Sequence, residues 1–196
     1  MKTFSSLTSV GGYNLGEVAS SLQKCIRRGQ EDGALFWATE LDLSGYGEYC
    51  WKRLKIISSE DVGMAEPGAA AEILALYQNW SAQRKKGDTR HGPERLFLVH
   101  AVILLARAKK SRLVDHALIV YYEGMRAQRP IPDVALDKHT ARGRQLKRGH
   151  EHFWSEGAVV TNPGEVADPY YDQAKAIRSD SQLEIDLDWE LKEEAA

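Results

Sequence analysis

Apolar positions in the first two-thirds of the chain recur at helical spacing and are cut by short polar breaks. Val18, Leu22, Cys25 and Ile26 share one face of a segment that opens at Asn14 and closes at Gly29. Asn14 followed three residues later by Glu17 has the form of a capping box. Ala34, Leu35, Trp37, Ala38 and Leu41 give a second helix over residues 31–43. The break "SGYGE" precedes a third, over 48–59, with Trp51, Leu54, Ile57 and Ser58 along one side. Pro67 suits the first turn of a fourth helix, 67–83, where its missing N–H removes no intrahelical bond. After the basic loop "RKKGDTRHGPE", Pro93 opens a fifth helix to residue 108, and Ser111 caps a sixth reaching 127. Short connections between amphipathic helices favour antiparallel neighbours, and no strand-like alternation of useful length intervenes. The pattern predicts an all-α fold, a bundle or array of about six helices followed by an irregular C-terminal segment.

Beyond "RPIPD" the character changes. Residues 130–170 hold four of the six prolines and three of the six histidines, which breaks the helical pattern. A short helix is predicted over 134–147 and another over 169–177, with the less regular "HEHFWSEGAVVTNPGEVADPYY" between them. The domain expectation is a flexible N-terminus (1–13), a helical domain (14–128), a basic, histidine-containing extension packed on it (129–179) and an acidic tail (180–196).

Composition narrows the class only modestly. The chain has 196 residues, 43% hydrophobic and 28% charged, ordinary values for a globular protein with one real core. The longest apolar run, 96–106, is interrupted by His100 and falls short of the ~20 residues that span a bilayer. The first residues lack the apolar region of a signal peptide, so a cytoplasmic location is the default expectation, without membrane contact. Cys25 and Cys50 sit on helix faces without C-x-x-C spacing and read as buried free thiols. The net charge of −2 conceals an asymmetry: residues 180–196 carry a net of −6, leaving +4 on the rest. A basic body with an acidic tail fits either nucleic-acid contact with a competing tail or simple solubility.

Candidate chemistry lies in two places. In "KIISSEDVGMAEPG" (55–68) two carboxylates stand at a predicted helix C-terminus, where the backbone dipole disfavours them. Adjacent residues diverge by about 100° on a helix, so Glu60 and Asp61 do not form a catalytic pair. The better reading is a structural joint in which Gly63 ends the helix and Arg27, Arg28 or Arg53 supplies a compensating cation. The second place is "DKHTARGRQLKRGHEHF" (137–153). Lys138, Arg142, Arg144, Lys147 and Arg148, followed by Phe153 and Trp154, suit phosphate neutralisation with base stacking; the alternative is a solvated face paired with the acidic tail. Asp137, His139, His150 and His152 are candidate metal ligands, although His150 and His152 share a face only if extended. Walker, dinucleotide, nucleophile-elbow and H-E-x-x-H motifs are all missing, so no catalytic residue and no cofactor is assigned and the chain reads as a non-enzyme.

Three blocks carry a resemblance: "LQKCIRRGQEDGALFWATELDLSG" (22–45), "WKRLKIISSEDVGMAEPGAA" (51–70) and "VHAVILLARAKKSR" (99–112). Together they resemble the C-terminal helical region of the replication-associated recombination protein A family of AAA+ ATPases, whose eukaryotic relatives are the Werner-helicase-interacting ATPases. Arg28-Gly29 with Asp32, Ser59-Glu60-Asp61-Val62-Gly63 with Ala65, and Lys110-Ser111 carry the match. The resemblance covers residues 20–125 and implies a clamp-loader-like oligomerisation domain, tetrameric in the family, working at stalled replication forks. The family's ATPase module is missing from the chain, and residues 130–196 depart from the family ending. The resulting expectation is a non-catalytic oligomerisation protein of DNA replication, recombination or repair. It would form a homodimer or homotetramer, meet DNA through 138–148 and work beside a separate ATPase. Two alternatives stay open: a DNA- or RNA-binding module through 138–148, and a metal-dependent enzyme using Asp137, His139, His150 and His152.

Overall fold

The computed structural model describes residues 7–84, 92–125 and 127–178. The acidic tail and most of the basic loop before Pro93 lie outside the described residues, and so do residues 1–6 of the N-terminal segment. The chain divides into two units, Met1–Arg126 and Ala127–Ala196. All regular structure among the described residues is helical, with one isolated antiparallel bridge between Thr8 and Asn14.

In the first unit α1 (Leu15–Arg27), α2 (Glu31–Leu43), α3 (Gly47–Ile57), α4 (Ala69–Gln83) and α5 (Glu94–Arg107) enclose a single core. Asn14 caps α1 as its spacing predicts, its Oδ1 accepting from Gly16 N at 2.9 Å and Glu17 N at 3.2 Å. Leu15, Val18, Leu22 and Ile26 of α1 meet Ala34, Ala38 and Leu41 of α2 and Leu98, Val102 and Leu105 of α5. The alanines keep side chains small on the buried face of α2. Trp51 of α3 and Trp80 of α4 close the other end, their ring centroids 5.8 Å apart. Tyr77 stacks on Trp80 at 5.9 Å and receives Lys55 Nζ on its ring face, so the core edge is sealed by aromatic surface.

Residues 7–13, expected to be flexible, form an ordered turn. Ser9 N donates to Tyr13 O and Leu15 N to Leu7 O, while Val10 N reaches Ser44 Oγ at 3.0 Å and Gly11 N reaches Glu40 Oε1 at 2.6 Å. Glu40 is buried, and the backbone N–H gives its carboxylate a partner there. The cause is thus a polar side chain on α2 that needs donors, a demand that periodicity does not reveal.

Three helices end differently from their predicted spans. The third widens into a π turn, Ser58–Val62, and then a 3-10 turn, Gly63–Ala65. The sixth is an α segment, α6 (Leu113–Leu118), continued by a π turn, Ile119–Glu123. The helix predicted over 134–147 contracts to a 3-10 turn, Asp133–Ala135, and a five-residue α7 (Ala141–Gln145). Local polar bonds stop it at both ends. Thr140 Oγ1 caps Gly143 N, and Lys147, at φ +57°, closes a Schellman turn with Arg148 N on Gly143 O and Lys147 N on Arg144 O. The second unit continues with α8 (His150–His152), its π extension Phe153–Gly157 and helical residues 171–178.

Cys50 is fully buried beside Trp51, and burial pushes its thiol far up; Cys25 is half-buried. A thiol reagent at neutral pH is therefore expected to leave Cys50 unmodified in the folded chain and to label it only as urea unfolds the protein. Mass-spectrometric mapping of the labelled cysteine checks this; labelling of Cys50 without unfolding would contradict the core assignment.

Candidate functional site

The π turn at Ser58–Val62 draws Asp61 into the first unit, where its side chain is 0% exposed. A buried carboxylate needs partners on both oxygens, and both are supplied by α1. Arg27 Nε donates to Oδ1, and Gln23 Nε2 donates to Oδ2 at 2.9 Å. Arg27 Nη2 also reaches Glu60 Oε1 at 3.1 Å, so one guanidinium serves both acids. The Asp61 bond is the largest influence raising the Arg27 pKa above its ordinary value. Arg53 of α3 completes the set by donating to Gln23 Oε1. Gln23 and Arg27 stand four residues apart and therefore on one helix face.

Of the named joint residues, Arg53, Glu60, Asp61 and Gly63 come together. Arg28 does not: it is exposed at the C-cap of α1, about 100° around the helix from Arg27, and makes no ion pair among the described residues. Gln23 is the member that sequence reasoning missed. Its signal was a polar residue beside Leu22 on an otherwise apolar face, four positions before an arginine.

The third sequence block closes the same joint. Ser111 N donates to Asp61 O at 2.9 Å, and Lys110 Nζ caps the end of α5 on the carbonyls of Ala106 and Ala108. Gly63, at φ +47°, passes close to this loop: a Cβ there would lie 3.3 Å from Ser111 O and 3.3 Å from Val114 Cγ2. The end of α1, the Ser58–Val62 turn and the entry to α6 thus meet at one buried carboxylate. Both oxygens of its buried acid are partnered, and the arrangement positions helices.

In the second unit the five basic candidates separate. Arg148 is committed to the fold: it forks onto both oxygens of Asp133 at 2.8 and 2.7 Å and donates to the carbonyls of Asp133 and Leu136. Lys138 is half-buried, 2.7 Å from His150 Nδ1 and over the Phe153 ring. Arg142, Arg144 and Lys147 are exposed on α7 and the turn that ends it, with Arg144 Nη1 on Lys138 O at 3.3 Å.

The metal candidates are not brought together. Asp137 is held by His139 through its ring Nδ1 and its backbone N, both at 2.9 Å, bonds that lower the Asp137 pKa. His150 faces the Lys138 ammonium, and among the described residues no three His, Cys, Asp or Glu side chains form a metal-holding group.

Residues 29–177 match the protein family described as MgsA AAA+ ATPase C terminal. The chain belongs to this family. It is similar to replication-associated recombination protein A of Escherichia coli K12, with 31% identity over 166 residues, 81% of this chain and 35% of that one. The Bacillus subtilis protein of the same name is 30% identical over 157 residues, 75% of this chain and 36% of that one. An uncharacterised AAA domain-containing protein of Mycobacterium tuberculosis is 30% identical over 170 residues, covering 79% and 35%. The chain spans about a third of the length of these relatives, and the match is to the C-terminal helical part of the ATPase, without its ATPase module. The match reaches past the first unit to residue 177, so residues 130–177, expected to depart from the family ending, belong to the MgsA C-terminal domain as well.

For this MgsA C-terminal domain the joint gives a stability expectation. Arg27→Ala leaves Asp61 buried with one neutral partner, an outcome that typically costs about 3 kcal/mol. Asp61→Ala should also destabilise, and the double variant should lose less than the two single losses added. Urea midpoints of the four proteins test this; additive losses would show that the two residues do not interact.

Proposed function

We propose that this chain is a non-catalytic assembly module. It associates with copies of itself and with a separate replication or repair ATPase, and it acts in DNA replication, recombination or repair in the cytoplasm. The observation that carries this reading is the state of α6 and its π extension. Leu118, Ile119, Val120, Tyr121 and Tyr122 form a contiguous apolar run whose exposure lies between 44% and 85%, and Met125 follows fully exposed. No residue of Leu113–Glu123 is buried, whereas each of α1–α5 contributes to the core. An apolar patch of that kind on a folded domain marks an interaction surface. A second copy of the chain is the simplest partner, since most soluble oligomers pair identical patches about a symmetry axis. The names of the relatives, replication-associated recombination protein A, support the process.

A second reading, nucleic-acid binding through residues 138–148, is favoured by the exposure of Arg142, Arg144 and Lys147 along one short stretch of the second unit. Exposed cations on a capped turn neutralise phosphates without disturbing the fold. The two readings are compatible, because they use different units.

Sedimentation equilibrium tests the first. The chain should sediment at a multiple of 22.0 kDa, and Val120→Glu should return it to a single-chain mass with its helical circular dichroism intact. A concentration-independent monomer in the unsubstituted protein would refute self-association. For the second, Arg144→Ala and Lys147→Ala should each reduce the salt slope of DNA affinity by about one. Unchanged slopes would exclude this stretch as the contact.

A further inference from the structure

We propose that the cleft lined by Lys138, His150, Phe153, Trp154 and Arg178 receives an unpaired nucleotide, with its phosphate between the two cations and its base against the aromatic wall. The inference rests on the nucleic-acid reading above and deepens it, moving the specific contact from the exposed α7 cations to a built recess.

The recess has a volume of about 410 Å³, within the range of small-ligand sites, and is closed below by Phe153 and Trp154. Its two full cations come from distant points in the second unit, Lys138 before α7 and Arg178 in the C-terminal helical residues. Among the described residues no carboxylate lines it. Asp137, whose charge acts on Lys138 against the effect of Arg178, is engaged by His139. Lys138 lies beside His150 and under the influence of Arg178, and desolvation together with that like charge lowers its pKa. Positive groups are therefore gathered where an anion would relieve their repulsion.

The wall of the cleft carries a second, independent signal. The Trp154 ring is fixed edge-to-face against Phe153 at 5.4 Å and Tyr171 at 5.6 Å, so the aromatic surface is held in place before any ligand arrives. Cations for a phosphate and a flat apolar wall for a base together match a nucleotide. A base inside a duplex is stacked and paired and cannot present its face to a recess, so the fitting form is a single strand or a frayed end.

The test is fluorescence anisotropy of labelled oligo(dT) and of a blunt duplex of equal length, at matched salt, with the full chain. The strand should bind more tightly than the duplex. Lys138→Gln and Arg178→Gln should each weaken strand binding about tenfold, Trp154→Phe less, and Lys52→Gln, a charge change on α3, not at all. Arg178 is exposed, so its variant folds as the parent does, which melting by circular dichroism confirms. Strand affinity unchanged by Lys138→Gln and Arg178→Gln, but lost on replacing Arg144 and Lys147, overturns the cleft and leaves the nucleic-acid reading standing. No binding of any DNA overturns both. Equal affinity for strand and duplex overturns the unpaired-base assignment. An equal loss in Lys52→Gln reduces the effect to net charge. Poly-glutamate binding with the same residue dependence would assign the cleft to acidic peptides instead.

Discussion

The first unit is organised around one buried charge. Asp61 has no contact with water, and a carboxylate in that position is tolerable only while Arg27 and Gln23 hold its two oxygens. That requirement fixes the rotation of α1, because Gln23 and Arg27 must both face the turn. It also fixes the turn itself: an α-helical continuation of α3 would spread Glu60 and Asp61 apart, and the wider π turn brings both within reach of one guanidinium. Apolar packing alone would accept several rotations of α1 against its neighbours. The buried ion pair accepts one.

The same constraint explains why three separated sequence blocks resemble one family together. The arginine block ends α1, the Ser-Glu-Asp-Val-Gly block makes the turn, and Lys110-Ser111 supplies the loop whose N–H meets the Asp61 carbonyl. Each block looks unremarkable alone, being a helix end, an acidic turn and a basic pair. They acquire meaning as three sides of one joint. The family match over residues 29–177 includes two of these sides in full, and Arg27 lies just before its edge.

Most of the first unit was legible in the sequence because its stability comes from periodic burial. Val18, Leu22 and Ile26, then Ala34, Ala38 and Leu41, lie where a 3.6-residue repeat places them, and the span of α2 agrees at both ends. What periodicity could not supply was polar bookkeeping over distance: Glu40 ordering residues 7–13, or Gln23 selecting Arg27 over Arg28. The second unit was harder to read because little in it is periodic. Asp137 turning back on His139, Thr140 capping Gly143 and Arg148 clasping Asp133 replace a core with local hydrogen bonds. Gly143 is required for this, since a Cβ there would fall 1.8 Å from Asp137 O. Five cations in eleven residues looked like one basic face, but hydrogen-bond demand assigned Arg148 to structure and Lys138 to a cleft.

The joint and the exposed helix are physically continuous, and this bears on how an exposed apolar surface is kept in place. The helix α6 begins two residues after Ser111, whose N–H is bonded to Asp61 O, and its second residue, Val114, packs closely against Gly63, where a Cβ would stand 3.3 Å from Val114 Cγ2. An apolar helix with no buried residue has little of its own to hold it. Its direction is set at its base, by the joint, while its apolar side chains stay exposed. A buried ion pair suits that task better than an apolar contact would: it specifies one geometry over near alternatives, and it does so without consuming hydrophobic surface.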